Sequence, residues 1–167
     1  MSFVTEEELF KQIYNSSFIT NIVESFMYPT VAYTELKGFF GIPDLVIANL
    51  SSIDSSVQIL RSFAFEMKLS NWKRALIQAY KYRAFVNFSF VVIDQSKLRP
   101  VLKNLDQFVL SNIGLISVNT TGHISLHYYP ERTDPYSKSL MLKLKKLVTE
   151  ESFSPILASR VSLSPSV

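Results

Sequence analysis

A chain of 167 residues that is 47% hydrophobic, with 13 Phe and 8 Tyr, has enough apolar material for one sizeable core and fits a single domain. Its charged fraction of 19% is ordinary, which excludes a disordered or fibrous chain, and a net charge of +3 is compatible with nucleic acid without establishing it. With no cysteine, a disulfide scaffold, a thiolate nucleophile and thiolate-ligated zinc or iron–sulfur centres are excluded.

The N-terminal stretch MSFVTEEELFKQ has three consecutive glutamates and no basic segment, unlike a signal peptide. No apolar run approaches the ~20 residues that cross a bilayer. The expectation is a soluble, cytoplasmic protein with no membrane segment. Thr5 followed by Glu6, Glu7 and Glu8 reads as a capped helix start with its acids in the first turn, and the helix is expected to reach Tyr14. A second helix is expected from Ser17 to about Met27, with Ile19, Ile22, Val23 and Phe26 on one face and Pro29 beyond its exit.

Val31 to Glu35 reads as a short strand. Gly38 and Gly41 make a turn, and Pro43 introduces a second strand, DLVIANL. SSIDSS, residues 51–56, reads as a polar turn before a third strand from Val57 to Lys68, and the three form an antiparallel meander. Ser70 and Asn71 open a helix from Trp72 to Val86. FSFVVID, residues 88–94, reads as a central strand, and a helix follows from Arg99 to Ser111. Two short strands, Leu115–Val118 and His123–Tyr129, flank a turn, and a basic helix covers Ser137 to Val148. Residues 1–150 are read as one domain, and residues 151–167, rich in Ser and Pro, as a flexible tail. The order of elements indicates an α/β sandwich around a mixed sheet.

The chemistry concentrates in FAFEMK. Alternation sends Phe63, Phe65 and Met67 to one face of the strand and Ala64, Glu66 and Lys68 to the other. Asp44 begins the preceding strand after Gly41-Ile42-Pro43. If the two strands pair, the carboxylates of Asp44 and Glu66 converge on a divalent cation such as Mg²⁺, which favours carboxylate and water oxygens. Such an ion polarises a phosphodiester and lowers the pKa of an attacking water, while Lys68 adds a fixed positive charge near a scissile phosphate. Each motif alone is ordinary on a protein surface; their spacing raises the joint case.

Between Glu66 and Asp94 the charged residues are Lys68, Lys73, Arg74, Lys81 and Arg83, five cations without an acid. Arg74, Gln78 and Tyr82 are spaced i, i+4, i+8 on one helical face. Phosphate contacts by Lys73, Arg74 and Lys81, with Tyr82 beside them, position a nucleic acid without reading its bases. A solvated cationic face is the bland alternative. The last helix, with Lys138, Lys143, Lys145 and Lys146 among leucines, suits core packing or a partner surface as well as nucleic acid. His123 and His127 belong to no metal-ligand motif and read as structural or surface residues. The glycines of KGFFGIPD lack the lysine and hydroxyl of a P-loop.

The combination of Pro43-Asp44, Glu66-Met67-Lys68 and a following helix containing Gln78-Ala79-Tyr80-Lys81-Tyr82 resembles the PD-(D/E)xK nuclease superfamily. The helix is similar to the QxxxY element of its RecB-like and Cas4-like branches, and the resemblance covers roughly residues 20–94. It implies a restriction-endonuclease-like three-layer sandwich, a central mixed β-sheet flanked by helices. It implies a deoxyribonuclease using Mg²⁺ or Mn²⁺, with Asp44, Glu66 and the Met67 backbone carbonyl as metal ligands and Lys68 as the catalytic lysine. Gln78 would orient substrate or a metal-bound water, supported by Tyr82 one turn later. Many relatives carry an upstream acid, for which Glu35 is taken first and Glu24, in the preceding helix, is the helix-borne alternative. DNA is the expected partner, with a homodimer or a larger DNA-processing complex as possible assemblies. A catalytically inactive nucleic-acid-binding or protein-assembly module on the same fold is the competing function.

Overall fold

The computed structural model describes residues 2–53 and 56–152. In chain order the elements are α1 (Glu6–Tyr14), α2 (Ser17–Ile22), β1 (Thr30–Thr34), β2 (Leu45–Ile53), β3 (Ser56–Lys68), α3 (Trp72–Tyr82), β4 (Phe88–Asp94), α4 (Leu98–Leu102), α5 (Leu105–Ser111), β5 (Gly114–Val118), β6 (Ile124–Tyr128) and α6 (Lys138–Ser152). The six strands form one sheet in the order β1-β2-β3-β4-β5-β6. The β1–β2, β2–β3 and β5–β6 pairs are antiparallel, whereas β3–β4 and β4–β5 are parallel. The fold is thus α/β with a mixed sheet between two helical layers. Among the described residues no helix is long and apolar enough to cross a membrane.

Period-two alternation explains the layers. Leu45, Ile47, Phe63, Phe65 and Met67 face α1 and α2, where they bury Leu9, Ile13 and Ile19. Val46, Ala48 and Ala64 face the other way, against Tyr82 of α3 and Leu144 and Val148 of α6. Val91, Ile93 and Leu115 continue that second face beneath Trp72, Ala75 and Ala79 of α3 and Phe108 of α5. β3 is therefore a central strand covered on both sides, not an edge.

The parallel β3–β4 register pairs Phe63 with Phe88 and Phe65 with Phe90. Both pairs stack, with ring centroids 4.9 and 5.1 Å apart. A buried polar latch fixes where that pairing starts: Ser62 N donates to Asn87 Oδ1 at 3.0 Å, and Asn87 N donates to Ser62 Oγ at 3.1 Å. One strand further, Gly114 lies opposite Phe90, and a Cβ there would stand 2.1 Å from Phe90 Cδ1.

Several boundaries differ from the sequence reading for local reasons. The second helix stops at Ile22 rather than Met27. Asn49 Nδ2 takes the Val23 carbonyl at 2.6 Å and Glu24 adopts a left-handed φ of 52°, which ends the helix. The helix expected over Arg99–Ser111 is broken between α4 and α5. Asn104 turns its side chain onto the Pro100 carbonyl at 2.9 Å while its backbone amide bonds to Val101, so the α-helical ladder lapses. β2 and β3 extend into the expected polar turn, whose centre lies outside the described residues. α6 runs through the first two residues of the expected tail, and residues 153–167 lie outside the described part.

Gly114→Ala is expected to lower the unfolding free energy by about 1–3 kcal/mol through overpacking against the fully buried Phe90. Urea denaturation at neutral pH measures it.

Candidate active site

The antiparallel registers bring three acidic positions into a row. Leu45 pairs with Phe65, so the ladder carried back one residue sets Asp44 across from Glu66. On its other side Asp44 is bonded through its carbonyl to the amide of Glu35, at 3.1 Å, one step beyond the Thr34–Leu45 pair. Glu35, Asp44 and Glu66 thus lie at the same end of β1, β2 and β3. Asp44 is anchored by its Oδ2, which accepts from Met67 N at 2.6 Å; no hydrogen bond among the described residues reaches its Oδ1.

Glu66 is 1% exposed. A carboxylate so buried needs partners, and it has two. Tyr82 donates its hydroxyl to Glu66 Oε2 at 2.6 Å, and Lys68 Nζ stands 3.3 Å from Glu66 Oε1. Lys68 also donates to Glu6 Oε2 at 2.9 Å. Glu6 is the site residue that sequence reasoning missed. Its signal was a surplus: in the first turn of α1, Glu8 closes the capping box with Thr5 and Glu7 pairs with Lys11, which leaves Glu6 without a local task. Glu6, Glu7, Phe10, Lys11, Thr34, Glu35, Asp44 and Met67 line a cleft of about 460 Å³ at this end of the sheet.

The electrostatics follow from burial. Desolvation raises the Asp44 carboxyl above its ordinary value, with Glu6 and Glu35 adding to the rise and the Met67 amide and Lys68 opposing it. Desolvation also raises Glu66, helped by the charge of Asp44 and opposed by the Tyr82 hydroxyl and Lys68. Burial alone would pull Lys68 down, but Glu6, Glu66 and Asp44 outweigh it and hold the ammonium above its ordinary value. Burial, reinforced by the bond to Glu66, pushes the Tyr82 phenol far up, so it remains a donor. Three carboxylates therefore surround one ammonium, and two of them, Asp44 and Glu66, are poorly solvated.

α3 supplies the opposite wall. Asn71 caps it by accepting from Arg74 N at 3.2 Å. Gln78 lies one turn before Tyr82 and its Oε1 is buried without a hydrogen-bond partner among the described residues. A second cleft, of about 390 Å³, is lined by Gly41, Arg74, Ile77, Gln78, Lys81 and Tyr82. Lys73, Arg74 and Lys81 are exposed on this helix. Tyr82 differs from the sequence reading: it is fully buried, and its hydroxyl is committed to Glu66, so it supports the carboxylate rather than offering a surface for nucleic acid.

Glu24 stands apart from these groups. It forms an ion pair with Arg61 of β3, whose guanidinium also lies 5.1 Å over the Tyr28 ring. His127 bonds to Ser117 Oγ at 2.8 Å and His123 to Ser125 Oγ at 3.2 Å, both on the β5–β6 hairpin. The α6 lysines are largely occupied: Lys143 reaches the Gly38 carbonyl, Lys145 bonds to Gln58 Oε1 at 2.9 Å, and Lys146 pairs with Glu150.

Compared with models of known families, with characterised proteins and with solved structures, the chain gives no match.

Because Asp44 titrates above its ordinary 3.8 in the folded state, the native chain binds more protons than the unfolded one across that window. Stability therefore falls as pH rises through the window, and the ionised Asp44 costs stability at neutral pH. Asp44→Asn keeps an acceptor for Met67 N without the charge. It is expected to raise the melting temperature of the metal-free protein at pH 7, and the gain should vanish below about pH 4, in thermal melts across pH.

Proposed function

We propose that this chain is a divalent-metal-dependent nuclease that hydrolyses phosphodiester bonds in DNA, on a restriction-endonuclease-like sandwich. The observation that carries the reading is the conjunction at the end of β2 and β3: Asp44 across from a buried Glu66, with Lys68 and Tyr82 fixed on Glu66. A structural ion pair would not need a second desolvated carboxylate beside it. The fold supports the same reading, because an antiparallel meander leads through α3 into parallel β4 and so brings Tyr82 onto Glu66, with Gln78 one turn earlier on the same helix.

A cation fits the donor set. Asp44 and Glu66 are two hard oxygen donors whose carboxyls are both raised first by burial, Glu66 also by the charge of Asp44 and Asp44 by those of Glu6 and Glu35, and Asp44 Oδ1 is unengaged among the described residues. Mg²⁺ or Mn²⁺ would be held by Asp44 and Glu66, with the Met67 carbonyl beside them and Glu35 in the same cleft. Bound there, the ion supplies Lewis-acid polarisation of the phosphodiester and a water of lowered pKa.

The chain's own residues do the rest. Tyr82 holds Glu66 in one orientation and keeps its proton while doing so. Lys68 stays an ammonium and presents positive charge where a phosphate gains negative charge. Glu6 restrains Lys68 from the α1 side. The unpartnered amide oxygen of Gln78 accepts a hydrogen bond from substrate or from a water. Lys73, Arg74 and Lys81 attract the phosphate backbone to the face of α3.

Cleavage of DNA is expected with Mg²⁺ or Mn²⁺ and is abolished by excess chelator. Asp44→Ala, Glu66→Ala and Lys68→Ala should each reduce the rate by at least about 10²–10³-fold. Mn²⁺ should also raise the melting temperature of the wild-type protein but not of Asp44→Ala, since only the intact site binds it. Undiminished cutting by all three variants would overturn the reading.

A further inference from the structure

We infer that the cleft between α3 and the loop before β2 is a subsite for one unpaired nucleotide of a single DNA strand. Its inner wall is Tyr82, whose hydroxyl touches Glu66, so the subsite adjoins the carboxylates without containing them. The inference rests on the nuclease reading for its place beside a scissile phosphate, but not for the binding itself.

The loop is built to hold this shape. Gly41 has a φ of 102°, and a Cβ on it would stand 2.8 Å from Tyr82 Cε1, so only glycine lets the backbone press against the ring. The two neighbouring apolar residues, Phe40 and Ile42, are each 50% exposed. Across the cleft Ile77 is 61% exposed. Ile77 lines the cleft itself, and the exposed Phe40 and Ile42 are the chain neighbours of Gly41 on its loop wall. Lys81 lies 5.5 Å over the Phe40 ring, and Arg74 lines the cleft.

Each part matches one part of a nucleotide. Ile77 in the cleft and the Phe40 ring beside Lys81 offer apolar cover for the faces of a base, Arg74 and Lys81 meet its flanking phosphates, and Gln78, which lines the cleft, offers its side-chain amide to a base edge. The volume of about 390 Å³ suits a single nucleotide. A base in a duplex has its faces stacked and its edge paired, so it can meet Arg74 and Lys81 through its phosphates but not the apolar side chains or Gln78. A plain cationic face, by contrast, would have neither the apolar rim nor the orphaned amide.

The test uses the full chain in excess chelator, so that no cleavage occurs, with fluorescence anisotropy of a short fluorescent oligodeoxynucleotide, alone and annealed to its complement. Wild-type protein is expected to bind the single strand at least about tenfold tighter than the duplex. Phe40→Ala and Ile77→Ala should each weaken single-strand binding about five- to tenfold while changing duplex binding less than about twofold, and Phe40→Trp should retain it. Circular dichroism checks that these half-exposed variants remain folded. Equal affinity for the two forms, or variants that weaken both equally or neither, would overturn the subsite. Single-strand preference without any metal-dependent cleavage would support the subsite and sink the nuclease reading. Cleavage without that preference would do the reverse.

Discussion

Glu66 is a carboxylate removed from water in the middle of a six-stranded sheet, and the architecture around it exists to make that tolerable. An isolated buried charge is costly, and it is retained only when hydrogen-bonded and paired. Tyr82 supplies the hydrogen bond and Lys68 the charge. For Tyr82 to reach Glu66, α3 must lie across the β3–β4 pair, where Ser89 of β4 bonds to the Ala79 carbonyl at 2.7 Å and Ala75 and Ala79 allow close approach. For the ring to fit, the preceding loop must carry glycine at position 41. Helix placement, loop composition and strand register all answer to one side chain.

The compensation is incomplete, and the shortfall has chemical meaning. Asp44 and Glu66 both titrate above their ordinary values, so their charged forms oppose folding. A chain selected for stability alone would lose little by neutralising Asp44. Keeping two poorly solvated carboxylates beside a single ammonium departs from the most stable sequence for the fold, and the proposed metal site accounts for that departure. Pairing with Glu6 and Glu66 guards the Lys68 ammonium against the depression that burial alone would impose.

Local patterns made much of the fold legible. Alternation in residues 63–68 separated a Phe-Phe-Met face from an Ala-Glu-Lys face, and the six strands fall in the predicted order with small boundary shifts. Asp44 beside Glu66 was legible too, because a meander pairs adjacent strands. Contacts set by the tertiary arrangement were not. Glu6 meets Lys68 across 62 positions, and in sequence it looks like one more first-turn acid. Glu24 looks like a helix-borne acid, but Asn49 ends that helix early and Arg61 takes the carboxylate. Tyr82 sits on the same helical face as two polar residues, which made it look exposed; packing against Val46, Ala48 and Ala64 of the sheet, with Gly41 close against its ring, buries it.

The most direct measurement is a crystal soaked in Mn²⁺ with data collected for anomalous scattering. One manganese peak is expected within coordination distance of both Asp44 and Glu66, with neither carboxylate displaced from Met67 N or Tyr82. A peak elsewhere, or no peak while Asp44 and Glu66 keep the positions described here, would contradict the claim that their unbalanced charge is held for a metal.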